Sequence, residues 1–192
     1  MLIILTLLLQ IKWDNCYKCD NGSECLISVD GTDCPIAYAG HDARAYFSHK
    51  FRDTGFRYEV GLCIQTGELV WVSGPFPCGR NPDITIFRAR LRDILDPGKK
   101  VEADKGYHHN HPDYVRWFGL PGESINHNNT AQKAVRARHE HINARLKAFK
   151  ILDSTYRDKL DNHGAVFNAV AVICQLNIYG GQRLGDIYYY SP

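Results

Sequence analysis

Apolar and polar positions run at strand period in the first half of the chain and at helix period in the second. CLISVD (Cys25–Asp30) is a short apolar run ending in an acid, and GTDCP behind it places Gly and Pro where a strand breaks. RYEVGLCI (57–64) and ELVWVS (68–73) predict a second and third strand joined by a hairpin turn at Thr66-Gly67. Gly74-Pro75 and Pro77 close that region. A helix is predicted to start at Asn81 or Asp83 with Pro82 in its first turn. It carries Ile84, Phe87, Leu91 and Leu95 at helical spacing and stops at Asp96-Pro97-Gly98. KVEAD (Lys100–Asp104) predicts a fourth strand, again ending in an acid, and 105–128, rich in His, Pro, Gly and Asn, predicts irregular chain. A long helix follows from Asn129 to Phe149, with Thr130 as its cap and Val135, Ile142, Leu146 and Phe149 on one face. Residues 164–178 predict a last, buried helix, and the tyrosine-rich tail Asp186–Pro192 has no assignment.

Three strands, a helix, a strand and then helices imply a mixed sheet with helices packed on it. That is the plan of an α/β, ribonuclease-H-like fold. The chain has 192 residues, the size of one domain, without repeats or low-complexity stretches. The apolar run Met1–Ile11 is too short to span a membrane, and it lacks the basic start and small-residue cleavage site of a secretory signal. It is expected to be the tail of an upstream helix, so that 1–12 stand apart from a domain over 13–192 that has no membrane association. Seven cysteines, an odd number scattered along the chain, are expected to be free thiols in a reducing compartment rather than a secreted disulfide framework. Cys16 and Cys19 form a CxxC, but eight residues separate Cys25 from Cys34, so the second close pair of a structural zinc site is missing. The formal net charge of +2 does not by itself mark a nucleic-acid binder. The charges are uneven, however: within 131–150, Lys133, Arg136, Arg138, Arg145, Lys147 and Lys150 face the single acid Glu140.

The acids carry the candidate chemistry. Asp30 and Asp104 each close a predicted strand with 73 residues between them, and Glu140 follows in mid-helix after 35 more. Glu140 projects roughly 140° from the apolar stripe, taking about 100° per residue. Ala137 and Ala144 flank it, and their small size predicts that this side of the helix lies close to another element. Singly, such acids are turn residues or salt-bridge partners. Converging, they would repel one another, and a pair of Mg²⁺ or Mn²⁺ ions would remove that cost and serve phosphodiester cleavage. The HHNHP run at His108–Pro112 reads as a solvated loop, His139 and His141 as DNA contacts at most, and Cys63 and Cys78 as small core residues. No HExxH, P-loop or nucleophile-elbow pattern is present.

VDGTD (Val29–Asp33), FSHKF (Phe47–Phe51), RYEVGLCIQTGELVWVSGPFPCG (Arg57–Gly79), EADKGY (Glu102–Tyr107), ARHEHINARLKAFKIL (Ala137–Leu152) and HGAVFNAVAVICQL (His163–Leu176) together resemble the DDE superfamily endonucleases. The likeness is greatest to Harbinger-like and insertion-sequence transposases, and it extends over roughly Trp13–Tyr190. It implies a catalytic and metal-binding triad of Asp30, Asp104 and Glu140 holding two divalent ions. Asp33, taken to lie beyond the strand end, is left as a turn or supporting residue. The implied activity is cleavage of DNA at transposon ends and transfer of the freed 3′-hydroxyl to target DNA. Such relatives carry a helix-turn-helix region ahead of this domain, so a separate DNA-binding protein or a homo-oligomer is an expected partner. The alternative is a silent remnant that binds DNA or protein without cutting. His49, Lys50, Arg57, Arg136 and Lys147 are the expected phosphate contacts. The expected location is the nucleus in a eukaryotic host and the cytoplasm otherwise.

Overall fold

The computed structural model describes residues 11–18, 22–38, 40–107, 113–117 and 127–185. The HHNHP run, Cys19, the start of the apolar segment and the tyrosine-rich tail lie outside them. Six strands form one mixed sheet: β1 (Cys25–Pro35), β2 (Phe47–Ser48), β3 (Asp53–Cys63), β4 (Leu69–Pro77), β5 (Lys100–Ala103) and β6 (Val115–Trp117). The order is β2-β3-β1-β5-β6, with β4 also paired to β3. β1 runs antiparallel to β3 and parallel to β5, and β6 extends the parallel side. The helices are α1 (Ala43–Tyr46), α2 (Asp83–Ala89), α3 (His127–Ala148), α4 (Lys150–Asp153) and α5 (His163–Tyr179). This mixed sheet flanked by helices is the expected ribonuclease-H-like α/β architecture.

Strand alternation sorts the core into two layers. Phe56, Tyr58, Val60 and Leu62 of β3 face α3 and α5, where they meet Ile142, Leu146, Phe167, Val170 and Ala171. On the opposite side, Ile27 and Val29 of β1 and Val101 and Ala103 of β5 pack against Ile84 and Phe87 of α2. α5 buries Phe167, Val170, Ala171, Val172, Cys174 and Ile178 but leaves Ile173, Leu176 and Tyr179 exposed, so only one side of the helix expected to be buried is enclosed. Its Gln175 is fully buried and accepts the Leu69 backbone N–H at 2.7 Å, tying α5 to β4. The hairpin turn forms where predicted: Gly67 takes φ +73°, a conformation glycine adopts without strain, and donates to Cys63 O at 2.8 Å.

Several boundaries differ from the sequence reading. β1 does not break at Gly31. It continues to Pro35, because each residue from Gly31 to Pro35 pairs with β3 and Pro35 stands at the strand's end. β4 likewise continues through Gly74-Pro75 to Pro77. α2 starts at Asp83 and stops at Ala89, and Leu91–Ile94 form a separate 3-10 turn. Within the stretch read as irregular, Val115–Trp117 form a strand parallel to β5. Three residues carry no readable period, so β6 left no alternation to detect. α3 begins at His127, which places Thr130 inside the helix rather than at its cap. The six described cysteines are all buried and free, Cys63 and Cys78 among them. Among the described residues no helix is long and apolar enough to cross a membrane.

Candidate active site

Strand register brings the first two acids together. β1 and β5 pair in parallel with Ser28 opposite Glu102 and Val29 opposite Ala103. Asp30 is the next residue of β1 and Asp104 the first beyond β5, so they stand side by side, near the usual spacing of about 4.8 Å between neighbouring strands. Asp30 is half-buried. Its Oδ1 accepts the Gly31 N–H at 2.8 Å, and its Oδ2 takes a long contact of 3.4 Å from Asn143 Nδ2 on α3. Asp104 is exposed and accepts the Gly106 N–H at 2.8 Å. Burial raises the Asp30 carboxyl above its ordinary value; Lys50 opposes the rise and the Asp104 charge adds to it. Like charge next to like charge is the signature expected of neighbouring carboxylates.

α3 supplies the third acid. Asp30, Asp104 and Glu140 line one cleft of about 110 Å³ together with Val29, Arg136 and His139. Glu140 is the least enclosed of the three: its side chain is 72% exposed and lies 3.9 Å from Arg136. Among the described residues no group of three or more His, Cys, Asp or Glu side chains converges closely enough to hold an ion. The acids therefore share a cleft in which Asp30 and Asp104 are adjacent and Glu140 stands at the rim. The donor chemistry nonetheless suits a hard divalent cation, since carboxylate oxygens in mutual repulsion gain most from one.

The apolar stripe Val135, Ile142 and Leu146 of α3 is buried as expected, but the further close approach expected on its alanine side is not made. Ala144 is exposed and Ala137 only half-buried. The close approach is made instead by His139, 3% exposed, whose Nε2 sits 2.9 Å from Ser28 Oγ on β1. Burial holds this imidazole down at about 4, so it is neutral near pH 7. His139 is thus a buried tie between α3 and the central strand, not the DNA contact it was read as; His141 is exposed. Asp33, taken for a residue beyond the strand, lies inside β1 and is fully buried. Arg57 Nε and Nη2 donate to its two oxygens at 2.7 and 2.9 Å, and Ser48 Oγ adds a third bond at 2.6 Å. Burial works against its charge, but the Arg57 and Ser48 bonds win and hold the carboxyl below its ordinary value.

That pairing redefines Arg57. Expected on DNA phosphate, it is 12% exposed and occupied by Asp33, Asp83 at 3.4 Å and Asn81 O at 3.2 Å. Lys50 donates to Gly31 O at 2.7 Å, beside Asp30, and His49 is exposed. Arg136 and Lys147 lie on the same α3 stripe as Glu140 and Asn143, at positions separated by three or four residues. The sequence reading passed over Asn143 and Asp83. Asp83 had been read only as a helix start, yet its carboxylate reaches the sheet beneath Gly31. The signal was the glycine itself: Gly31 follows Asp30 directly, and a glycine inside a strand marks a close approach by another group.

The mixed sheet carries Asp30 in mid-β1 beside Asp104 just past β5, with Glu140 on α3 lining the same cleft. The sequence profile of the DDE superfamily endonucleases matches residues 29–175, well over half of the chain, and the chain belongs to that family. Comparison with curated proteins and with solved structures gives no match.

Proposed function

We propose that this chain is the catalytic domain of a DNA transposase, of the Harbinger-like or insertion-sequence type, in which Asp30, Asp104 and Glu140 form the catalytic set. The observation that carries this reading is the parallel register that sets Asp30 beside Asp104, with Glu140 on the rim of the same cleft. Asp30 and Asp104 would hold a divalent pair, Mg²⁺ or Mn²⁺, and Glu140 would complete the donor set. Bound there, such a pair supplies activation of the attacking hydroxyl and charge relief at the leaving 3′-oxygen. The chain's own residues do the rest. Asn143 and the Gly31 N–H orient Asp30, and the Gly106 N–H orients Asp104. Arg136 and Lys147, on the stripe that carries Glu140, would contact the DNA backbone without reading sequence.

Nicking of supercoiled DNA with Mn²⁺ tests the proposal. Wild-type nicking that Asp104→Ala abolishes supports it; retained DNA binding without any nicking favours the silent remnant. Charge reversal at Arg136 and Lys147 together should weaken DNA binding and flatten its salt dependence, by about one phosphate contact per residue. An unchanged salt slope would remove those two residues from the interface.

A further inference from the structure

Asp83 belongs to none of the roles above, yet its position is tightly defined. It is the first residue of α2, on the sheet face opposite α3. A Cβ placed on Gly31 would fall 2.1 Å from Asp83 Oδ1, and one on Gly106 would fall 3.4 Å from Asp83 Oδ2 and 3.0 Å from Asp104 Oδ1. Gly31 follows Asp30 in the sequence, and Gly106 provides the N–H that holds Asp104. One carboxylate oxygen therefore occupies the space a Gly31 side chain would take, and the other lies at ordinary contact distance from where a Gly106 side chain would begin. Asp83 Oδ1 is buried and accepts no hydrogen bond among the described residues; its nearest cation is Arg57 Nε, at 3.4 Å. A carboxylate enclosed without strong bonds of its own costs stability. Apart from Arg57, it faces the sides of Gly31 and Gly106 on which a side chain would project, next in the chain to Asp30 and two residues past Asp104.

Resting on the metal-dependent reading above, we propose that Asp83 is a positioning residue. By filling the space between Gly31 and Gly106, it fixes the separation of Asp30 and Asp104, and hence the affinity of that pair for a divalent ion. Shape, not charge, carries this role. Glycine is required at 31 because the carboxylate occupies the volume a side chain would take.

Mn²⁺ binding to the full chain, followed by calorimetric titration, reads the role without DNA or turnover. Asp83→Ala should weaken Mn²⁺ binding about tenfold, the usual scale for losing a residue that supports metal ligands. Asp83→Asn, which keeps the shape, should stay within about threefold of wild type. Gly31→Ala should weaken binding in the wild-type background but restore part of the loss when Asp83 is already Ala, because methyl and carboxylate compete for one space. Equal loss in the Asn and Ala variants, no loss in Ala, or strictly additive effects of positions 31 and 83 would each overturn the proposal. Since each alternative is a binding constant compared within folded variants, a variant that melts before titration is replaced by the Gly31 comparison. If wild type binds no Mn²⁺ and Asp104→Ala is indistinguishable from it, the metal-dependent reading fails, and this inference with it. If Asp104→Ala alone loses binding, only the role of Asp83 is overturned.

Discussion

Arg57 shows how much one side chain can reorganise an acidic site. Four carboxylates, Asp30, Asp33, Asp83 and Asp104, gather around the C-terminal half of β1, and without nearby cations they would drive it apart. Arg57 spends its guanidinium on the most buried of them: Asp33 is fully enclosed and takes both of its short bonds. A two-pronged guanidinium–carboxylate pair is stronger and more exacting than a single charge contact. Removing the cation leaves Asp33 buried and unpaired, which typically costs about 3–5 kcal/mol. Arg57→Ala should therefore lower stability by about that amount in urea denaturation. Arg57→Lys should recover only part of it, since an ammonium cannot span both oxygens and Asn81 O together. A loss under about 1 kcal/mol for Arg57→Ala would show that the pair does not hold β1 as argued.

At the scale of elements, the sequence disclosed what has a period and what ends in a charge. β1, β3, β4 and β5 were legible because apolar residues recur in them, and Asp30 and Asp104 stood out because each follows such a run. β6 was not legible, since three residues cannot show alternation. Asp33 was misplaced because Gly31 and Pro35 were read as breakers, whereas pairing with β3 carries the strand through them. Glu140 was found on α3, but the reason given for its side of the helix was wrong. Val135, Ile142 and Leu146 are buried on the apolar face, and the tie to β1 is His139. The packing of α3 gives a direct test. Ile142→Ala, at a fully buried position, should cost about 2–5 kcal/mol. Ala144→Leu, on the exposed side, should change stability by no more than about 0.5 kcal/mol. The two variants compared by thermal melting distinguish the faces. A destabilising Ala144→Leu with a tolerated Ile142→Ala would mean the helix is docked by its alanine side after all.

Across the whole molecule, the protons of three of the buried titratable groups couple to folding in opposite directions. Glu59 is fully buried on the α2 side, where it accepts the Trp71 Nε1–H at 2.9 Å, and burial pushes its carboxyl up to about 8. His139 and His163 are buried on the α3 and α5 side beside Ser28 and Tyr58, and burial holds both down at about 4. The folded chain keeps the Glu59 proton at pH values where the unfolded chain, with an ordinary value of 4.5, has lost it. Stability from that group is therefore complete below about 4.5 and is lost as pH rises towards about 8. The histidines act the other way: unfolded, they take up protons below 6.5, while folded they resist until about 4, so stability falls as pH falls through that window. Between 4.5 and 6.5 the slopes oppose one another. Above 6.5 Glu59 acts without the histidines. The slope from one proton is at most about 1.4 kcal/mol per pH unit. Wild-type stability in urea should thus decline from pH 6.5 to 8, and Glu59→Gln, which keeps an acceptor for Trp71 but has no proton to lose, should decline less. Were the Gln variant to keep the wild-type slope, the Glu59 proton would not be what couples alkaline pH to unfolding.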